Sequence, residues 1–270
     1  MSIAIEEAAE SCDDRGMPVL PGAEPYAADG GPVGVLLCHG FTGTPQSLRP
    51  WAEHLAAAGM TVRLPRLPGH GTTPREANLT HWEDWYAELD RHLTELRARC
   101  EAVFVMGLSM GGTLALRLAE QHGDDIRGLV LVNPSLLTKR PGRFVLPVLR
   151  WVLPTYPGIA SDIKKDGQTE LAYDTVPVKA AYQLSKLWLA TRSDLARVSQ
   201  PILVFRSAVD HVVEPDSCRL LRSAVSSTDV SEVVLEDSYH VATLDNDAPL
   251  IFEGSVAFVR RLTAAAEPAT

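Results

Sequence analysis

Gly107-Leu108-Ser109-Met110-Gly111 sets a serine between glycines two positions to either side, where a short apolar run ends at Met106 and a helical pattern begins. A serine on so sharp a strand-to-helix turn has its oxygen projected clear of the backbone, and the glycines remove side chains that would collide there. The following helix aims unpaired N–H groups and the positive end of its dipole at charge formed beside Ser109. A serine hydroxyl is a weak nucleophile at neutral pH, so it needs a base, and the base needs an orienting acid. Both follow along the chain. Arg206-Ser207-Ala208-Val209-Asp210-His211 comes after one apolar run, and Glu236-Asp237-Ser238-Tyr239-His240 comes after the next. The order Ser, Asp, His favours Asp210 as the acid and His240 as the general base. His211 is a rival base that would have to turn back to reach Ser109. Glu214 and Asp237 are rival acids, although Asp237 is too close in sequence to reach the far nitrogen of His240 easily.

The same chemistry needs two donors for an oxyanion. One is expected at the backbone N–H of Met110, the residue after the nucleophile. The second is expected at Phe41, in His39-Gly40-Phe41-Thr42-Gly43, where glycines let the backbone approach a ligand closely. His39 suits a hydrogen-bonding role that shapes this loop, and His70, in Pro68-Gly69-His70-Gly71, is read as structural.

These residues must be placed by a particular set of elements. Val33 to Cys38, Met60 to Leu64, Ala102 to Met106, Gly128 to Val132, Pro201 to Phe205 and Val230 to Leu235 have the length and β-branched content of buried strands. Amphipathic stretches between them give the pattern of a parallel sheet covered by helices on both faces. Thr44 and Pro45 open one helix, ending near Gly59. Thr80 to Glu83 reads as a capping box ahead of the stripe Trp85, Leu89, Leu93 and Leu96. Further helices are expected over Gly111 to Gln121, Pro215 to Val225 and Ala248 to Leu262. From Asn133 to Val198 the alternation breaks, prolines recur and no clear strand is visible. Phe144 to Leu153 is too short to span a bilayer and is expected to cover something apolar, and Val178 to Ala190 reads as an amphipathic helix. Together they predict a small helical cap over the carboxyl edge of the sheet.

Of 270 residues, 46% are hydrophobic and 22% charged, which fits a compact globule rather than a disordered or fibrous chain. A formal charge of −9 repels phosphate backbones, so no nucleic-acid partner is expected. No run approaches the length of a transmembrane segment. The first fourteen residues contain five acidic side chains and no Lys or Arg, unlike a secretory leader, and a cytoplasmic location is expected. Cys12, Cys38, Cys100 and Cys218 are scattered without metal-ligand spacing and read as free thiols, with Cys38 buried.

Taken together, His39-Gly40-Phe41-Thr42-Gly43, Leu67-Pro68-Gly69-His70-Gly71, Gly107-Leu108-Ser109-Met110-Gly111, Asp210 and His240-Val241 resemble the α/β-hydrolase superfamily, nearest to bacterial carboxylesterases and monoacylglycerol lipases. The likeness runs from about Pro32 to Leu262. It implies an α/β fold with a mostly parallel central sheet flanked by helices. A flexible acidic tail at 1–17, a core at 18–133 and 199–270, and a helical cap (lid) insertion at 134–198 are the expected divisions. It implies ester hydrolysis through an acyl-enzyme, with Ser109, Asp210 and His240 as triad and Phe41 and Met110 as oxyanion-hole donors. The expected partner is a small-molecule ester with an apolar acyl group, with monoacylglycerols among the candidates and transient lipid-surface contact through the cap. No metal or cofactor is expected. A thioesterase, an amide hydrolase and a ligand-binding receptor with negligible turnover are the alternative readings.

Overall fold

Successive residues of the central strands belong to two different cores. Along β4 (Ala102–Leu108), Val103 and Val105 join one buried cluster, while Phe104 and Met106 join another on the opposite face. β5 (Gly128–Val132) divides in the same way, with Leu129 and Leu131 on one side and Val130 and Val132 on the other. A strand buried on both faces has no reason to alternate apolar with polar residues, so these segments read as continuous hydrophobic runs.

A computed structural model, describing residues 18–159 and 161–264, gives the arrangement. The expected tail at 1–17, Cys12 and the last six residues lie outside the described residues. In chain order the first elements are β1 (Tyr26–Ala28), β2 (Val33–Cys38), α1 (Arg49–Ala57), β3 (Thr61–Leu64), α2 (Pro74–Ala77) and α3 (Trp82–Arg99). β4, α4 (Met110–His122) and β5 follow, then α5 (Leu146–Leu149), β6 (Thr155–Pro157), β7 (Thr175–Pro177) and α6 (Val178–Asp194). The chain closes with β8 (Ile202–Ser207), α7 (Asp216–Ala224), β9 (Val230–Leu235) and α8 (Ala248–Ala264).

The main sheet has the order β1-β3-β2-β4-β5-β8-β9, and only β1 runs antiparallel to its neighbour. The α3, α4, α6 and α7 side chains cover one face, and those of α1 and α8 cover the other. Because β2, β4, β5, β8 and β9 are parallel, the loops that leave them all open at one edge. That edge receives the segments carrying Phe41, Ser109, Asp210 and His240.

Three local expectations are corrected. The helix start falls one residue late: Thr80 Oγ1 accepts from the Trp85 indole at 3.0 Å and donates to Ala77 O at 2.8 Å. His81 therefore becomes the N-cap residue of α3, and its N–H donates to Asp84 Oδ2 at 2.7 Å. Residues 134–198 are not purely helical, because β6 and β7 form a separate antiparallel ribbon in which Tyr156 faces Val176. Much of the run from Phe144 to Leu153 faces solvent instead of covering apolar surface: Phe144 and Trp151 are 73% and 74% exposed, and Val148 and Val152 are exposed as well, while Leu146 and Leu149 are half-buried. Cys38, Cys100 and Cys218 are free thiols, and Cys38 is fully buried.

Candidate active site

Ser109 is the residue between β4 and α4, with φ 55° and ψ −117°. A non-glycine residue in this region costs about 1–3 kcal/mol and persists only where its surroundings fix it. The fixing is visible. Ser109 N–H donates to Val132 O at 2.9 Å, and Ser109 O accepts from Gly112 N–H at 3.0 Å and Ser135 N–H at 3.2 Å. A side chain at Gly111 would collide with the Cys38 carbonyl, and one at Gly107 would meet the backbone of Gly111 and Gly112. The glycines thus let β4, α4 and the end of β2 close around the serine, which is buried with its hydroxyl at the carboxyl edge of the sheet.

The loop carrying His240 is tied to this turn by a residue with no distinctive sequence signal. Asn133 follows Val132 directly and has φ 43°. Its Nδ2 donates to His240 O at 2.8 Å and to Ser207 Oγ at 2.9 Å, while its Oδ1 accepts from Ser207 N–H at 2.8 Å. Val132 holds the turn that bears Ser109 and its neighbour holds the loop after β9.

The structure brings His240 and Asp210 together: His240 Nδ1 lies 2.8 Å from Asp210 Oδ2, with both side chains buried. Asp210 Oδ1 accepts from Val212 and Val213 N–H, each at 2.8 Å. With Nδ1–H donating to the carboxylate, the lone pair of the imidazole is left on Nε2. Burial pulls the imidazole pKa down, but the Asp210 charge and hydrogen bond, with Glu170 and Asp162 nearby, overcome it and hold the value above normal. Burial likewise pushes Asp210 up, and its imidazole partner and backbone donors reverse this and keep it below normal.

The rival groups are engaged elsewhere. His211 is half exposed and pairs with Asp162 through Nδ1 at 2.8 Å. Glu214 Oε1 accepts from Thr138 Oγ1 and Lys139 N–H, and Asp237 is exposed and pairs with Lys164.

Gly40 brings the loop after β2 against the serine, since a side chain there would come within 3.6 Å of Ser109 Cβ. Thr42, with φ 63°, turns this loop back, and Thr42 O accepts from Tyr173 N–H at 3.2 Å. Among the described residues neither Phe41 N–H nor Met110 N–H has a protein acceptor, so both remain as donors at this edge. His39 braces the loop from behind, its Nδ1 meeting Gly40 O at 2.9 Å and its Nε2 accepting from Leu67 N–H at 3.1 Å. Burial, with the neighbouring His70, lowers its pKa to about 3, so it stays neutral. His70 packs among His39, Phe41 and Trp85.

Two carboxyl groups at the site were not anticipated. Glu170 lies against the loop after β2, where a side chain at Gly43 would come within 2.5 Å of its Oε1, and burial raises its pKa to about 7. Asp162 reaches the backbone of His211 and His240. Both come from the stretch between β6 and β7, whose sequence has no periodicity to mark it.

A parallel sheet with a strained serine turn and an Asp–His pair at its carboxyl edge defines an α/β-hydrolase of the serine type. Residues 33–247 match the Hydrolase_4 family, described as serine aminopeptidase, S33, and the chain belongs to that family. It is 47% identical over 246 residues to a thermostable monoacylglycerol lipase of Bacillus sp. (strain H-257), covering 89% of this chain and 96% of the relative. It is 26% identical over 241 residues to a carboxylesterase of Bacillus subtilis (strain 168), covering 88% and 97%. A solved structure reported for the metagenome-derived lipolytic enzymes LipS and LipT superposes with a TM-score of 0.87 at 44% identity, covering 90% of this chain and 99% of that one.

Proposed function

We propose that this carboxylic ester hydrolase uses Ser109 as nucleophile, His240 as general base, Asp210 as orienting acid, and the N–H groups of Phe41 and Met110 as the oxyanion hole. The observation that carries the reading is the Asp210–His240 contact of 2.8 Å, on a loop tied through Asn133 to the turn that bears Ser109. His240 Nε2 takes the Ser109 proton as Oγ attacks the ester carbonyl, and the two N–H groups stabilise the resulting oxyanion. When the tetrahedral intermediate collapses, the alcohol leaves with the proton from His240, and an acyl-enzyme remains. A water gives its proton to the same imidazole and attacks the acyl carbonyl, and as this second intermediate collapses the acyl–Oγ bond breaks, Ser109 Oγ takes that proton back from His240 and the acid is released.

The substrates proposed are esters of apolar acyl groups, monoacylglycerols among them, on the likeness to the Bacillus lipase. Residues 134–198 serve as the cap and 18–133 with 199–270 as the catalytic body. The exposed Trp151, Phe144, Val148 and Leu189 suit brief contact with a lipid surface. No helix among the described residues is long and apolar enough to cross a membrane.

Ser109→Ala tests the assignment. A loss on the order of 10⁶-fold in kcat toward a p-nitrophenyl ester is expected, with no mass addition from a fluorophosphonate probe. Near-normal turnover by the variant would remove Ser109 from the mechanism. A series of monoglycerides of increasing chain length, beside a thioester and an arylamide, reads the bond class and the acyl preference.

A further inference from the structure

Asp210 and His240 sit on separate loops, and their 2.8 Å contact depends on how those loops are held. Asp162, contributed by the insertion, touches the backbone of both. Its Oδ2 accepts from His211 N–H, adjacent to Asp210, and from His240 N–H, each at 3.2 Å. Its Oδ1 pairs with His211 Nδ1 at 2.8 Å, and its main-chain O accepts from Val241 N–H at 3.1 Å. The side chain is only 9% exposed.

The lacing is reciprocal. Asp245, which follows the base loop, accepts from Lys164 N–H at 2.7 Å and Lys165 N–H at 2.9 Å on the insertion, and from Tyr239 N–H at 2.9 Å on the base loop. Ser161, at the start of this strap, has φ 57°, and its Oγ accepts from Glu170 N–H at 2.9 Å. The stretch from Ser161 to Lys165 is thus bound to the catalytic loops, while the part from Phe144 to Tyr156 presents exposed apolar side chains to solvent.

We propose that Asp162 is a positioning residue, a cap-borne clamp that fixes the acid and base loops at their working separation and sets its negative charge beside the imidazole of His240. The inference rests on His240 being the general base. A carboxylate bonded to two backbone donors holds both loops with charge-assisted hydrogen bonds, and the same charge favours the protonated imidazole. The ionisable groups facing that ring are Asp210 from the acid loop and Glu170 and Asp162 from the insertion, with His211 paired to Asp162.

Two variants separate charge from geometry. Asp162→Asn keeps an acceptor and removes the charge, whereas Asp162→Glu keeps the charge and displaces the oxygens. For D162N the expected result is a fall in kcat of about 10-fold or more, with KM little changed and the acid limb of the pH profile moved to lower pH. The His240 ring titration, followed by NMR, should move the same way. D162E should return the limb toward its original position without restoring kcat. A D162N enzyme whose limb and His240 titration match those of the parent overturns the proposal, even if kcat falls. If D162N does not fold, a parental kcat in D162E overturns it as well. The NMR titration reports on Asp162 whether or not Ser109→Ala abolishes turnover, so failure of the clamp and failure of the catalytic reading are distinguishable.

Discussion

Asp210 divides its carboxylate between two tasks: Oδ2 meets His240 Nδ1 at 2.8 Å, and Oδ1 is held by the N–H groups of Val212 and Val213. A carboxylate anchored in this way by its own loop is placed to hold the tautomer and the ring plane of the imidazole, as the proposed acid role requires. Asp210→Asn would retain the shape while offering the ring a donor in place of an acceptor, which favours the wrong tautomer. A loss on the order of 10³ to 10⁴ in kcat is expected, with KM largely unchanged. Steady-state kinetics on a p-nitrophenyl ester checks this, and a loss of only a few-fold would assign the acid role to another residue.

The same pair sets the pH dependence. The proposed general-base step requires neutral His240, and its pKa is held above the ordinary value of about 6.5 because Asp210, Glu170 and Asp162 together outweigh the effect of burial. Activity should therefore be lost as pH falls through that raised value, placing the acid limb of kcat/KM above about pH 6.5. Removing the Asp210 charge should carry the limb downward. A limb in the ordinary carboxylate range would show that a carboxylate rather than His240 controls the reaction.

Glu170 predicts a stability effect of definite sign. Its carboxyl, raised by burial to about 7, binds its proton more tightly in the folded chain than in the unfolded one. Folding is thus favoured below the unfolded value and progressively less so as pH rises from about 4.5 toward 7. Glu170→Gln imitates the protonated form at every pH. Urea midpoints should rise for the variant at about pH 8 and match the parent near pH 4, and a variant less stable at the higher pH would contradict the argument.

Much of the site was legible because its chemistry sits on local signals. The turn around Ser109 follows from a strand, two glycines and a helix in immediate succession, and the proposed acid and base, Asp210 and His240, each follow a recognisable buried strand. Asn133, Asp162 and Glu170 carry no such mark. Their importance arises where chain segments distant in sequence converge, and an aspartate in an irregular insertion looks like any solvated one until the loops it joins are in place. The helix at Trp82 shows the same limit at close range, since Thr80 is a good cap by type but its hydroxyl is already committed to Trp85 and Ala77. The apolar run from Phe144 to Leu153 misled for a related reason: hydrophobicity implied a surface to cover, and the fold turns many of these side chains outward.

Gly111 is a position where one methyl group should disrupt the architecture. Its would-be Cβ direction points into the carbonyl of Cys38, which is backbone at the end of β2 and cannot rotate away. Gly111→Ala must therefore separate α4 from β2, moving the loop that carries Phe41 away from Ser109. Overpacking typically costs about 1–3 kcal/mol, and a backbone collision belongs at the upper end. Both the denaturation midpoint and the rate of fluorophosphonate labelling should fall, because the same displacement loosens the fold and moves Phe41, a proposed oxyanion-hole donor, away from Ser109. A variant with unchanged labelling would mean that the oxyanion loop is placed independently of this contact.

The outward-facing insertion supplies the remaining prediction. Between Asp125 and Asp162 the sequence has no acidic residue, but it includes Lys139, Arg140 and Arg150 beside the exposed apolar side chains, in a chain whose formal charge is −9. Lys139 is paired with Asp216, whereas the Arg150 guanidinium stacks over the rings of Trp151 and Tyr182, leaving a cationic and aromatic surface facing solvent. Local charge governs contact at distances within the Debye length, about 8 Å at physiological salt, so this face should be drawn to an anionic lipid surface that the whole molecule's charge would repel. Vesicles of phosphatidylcholine with phosphatidylglycerol should shift and enhance tryptophan fluorescence and co-sediment the protein, more than phosphatidylcholine alone, and added salt should weaken the binding. Trp151→Ser with Arg150→Ser should abolish the difference while leaving hydrolysis of a water-soluble ester intact. Equal binding to both vesicle types would leave only the apolar contribution, and a concentration-dependent dimer that vanishes in the double variant would instead mark the face as a contact between copies of the chain.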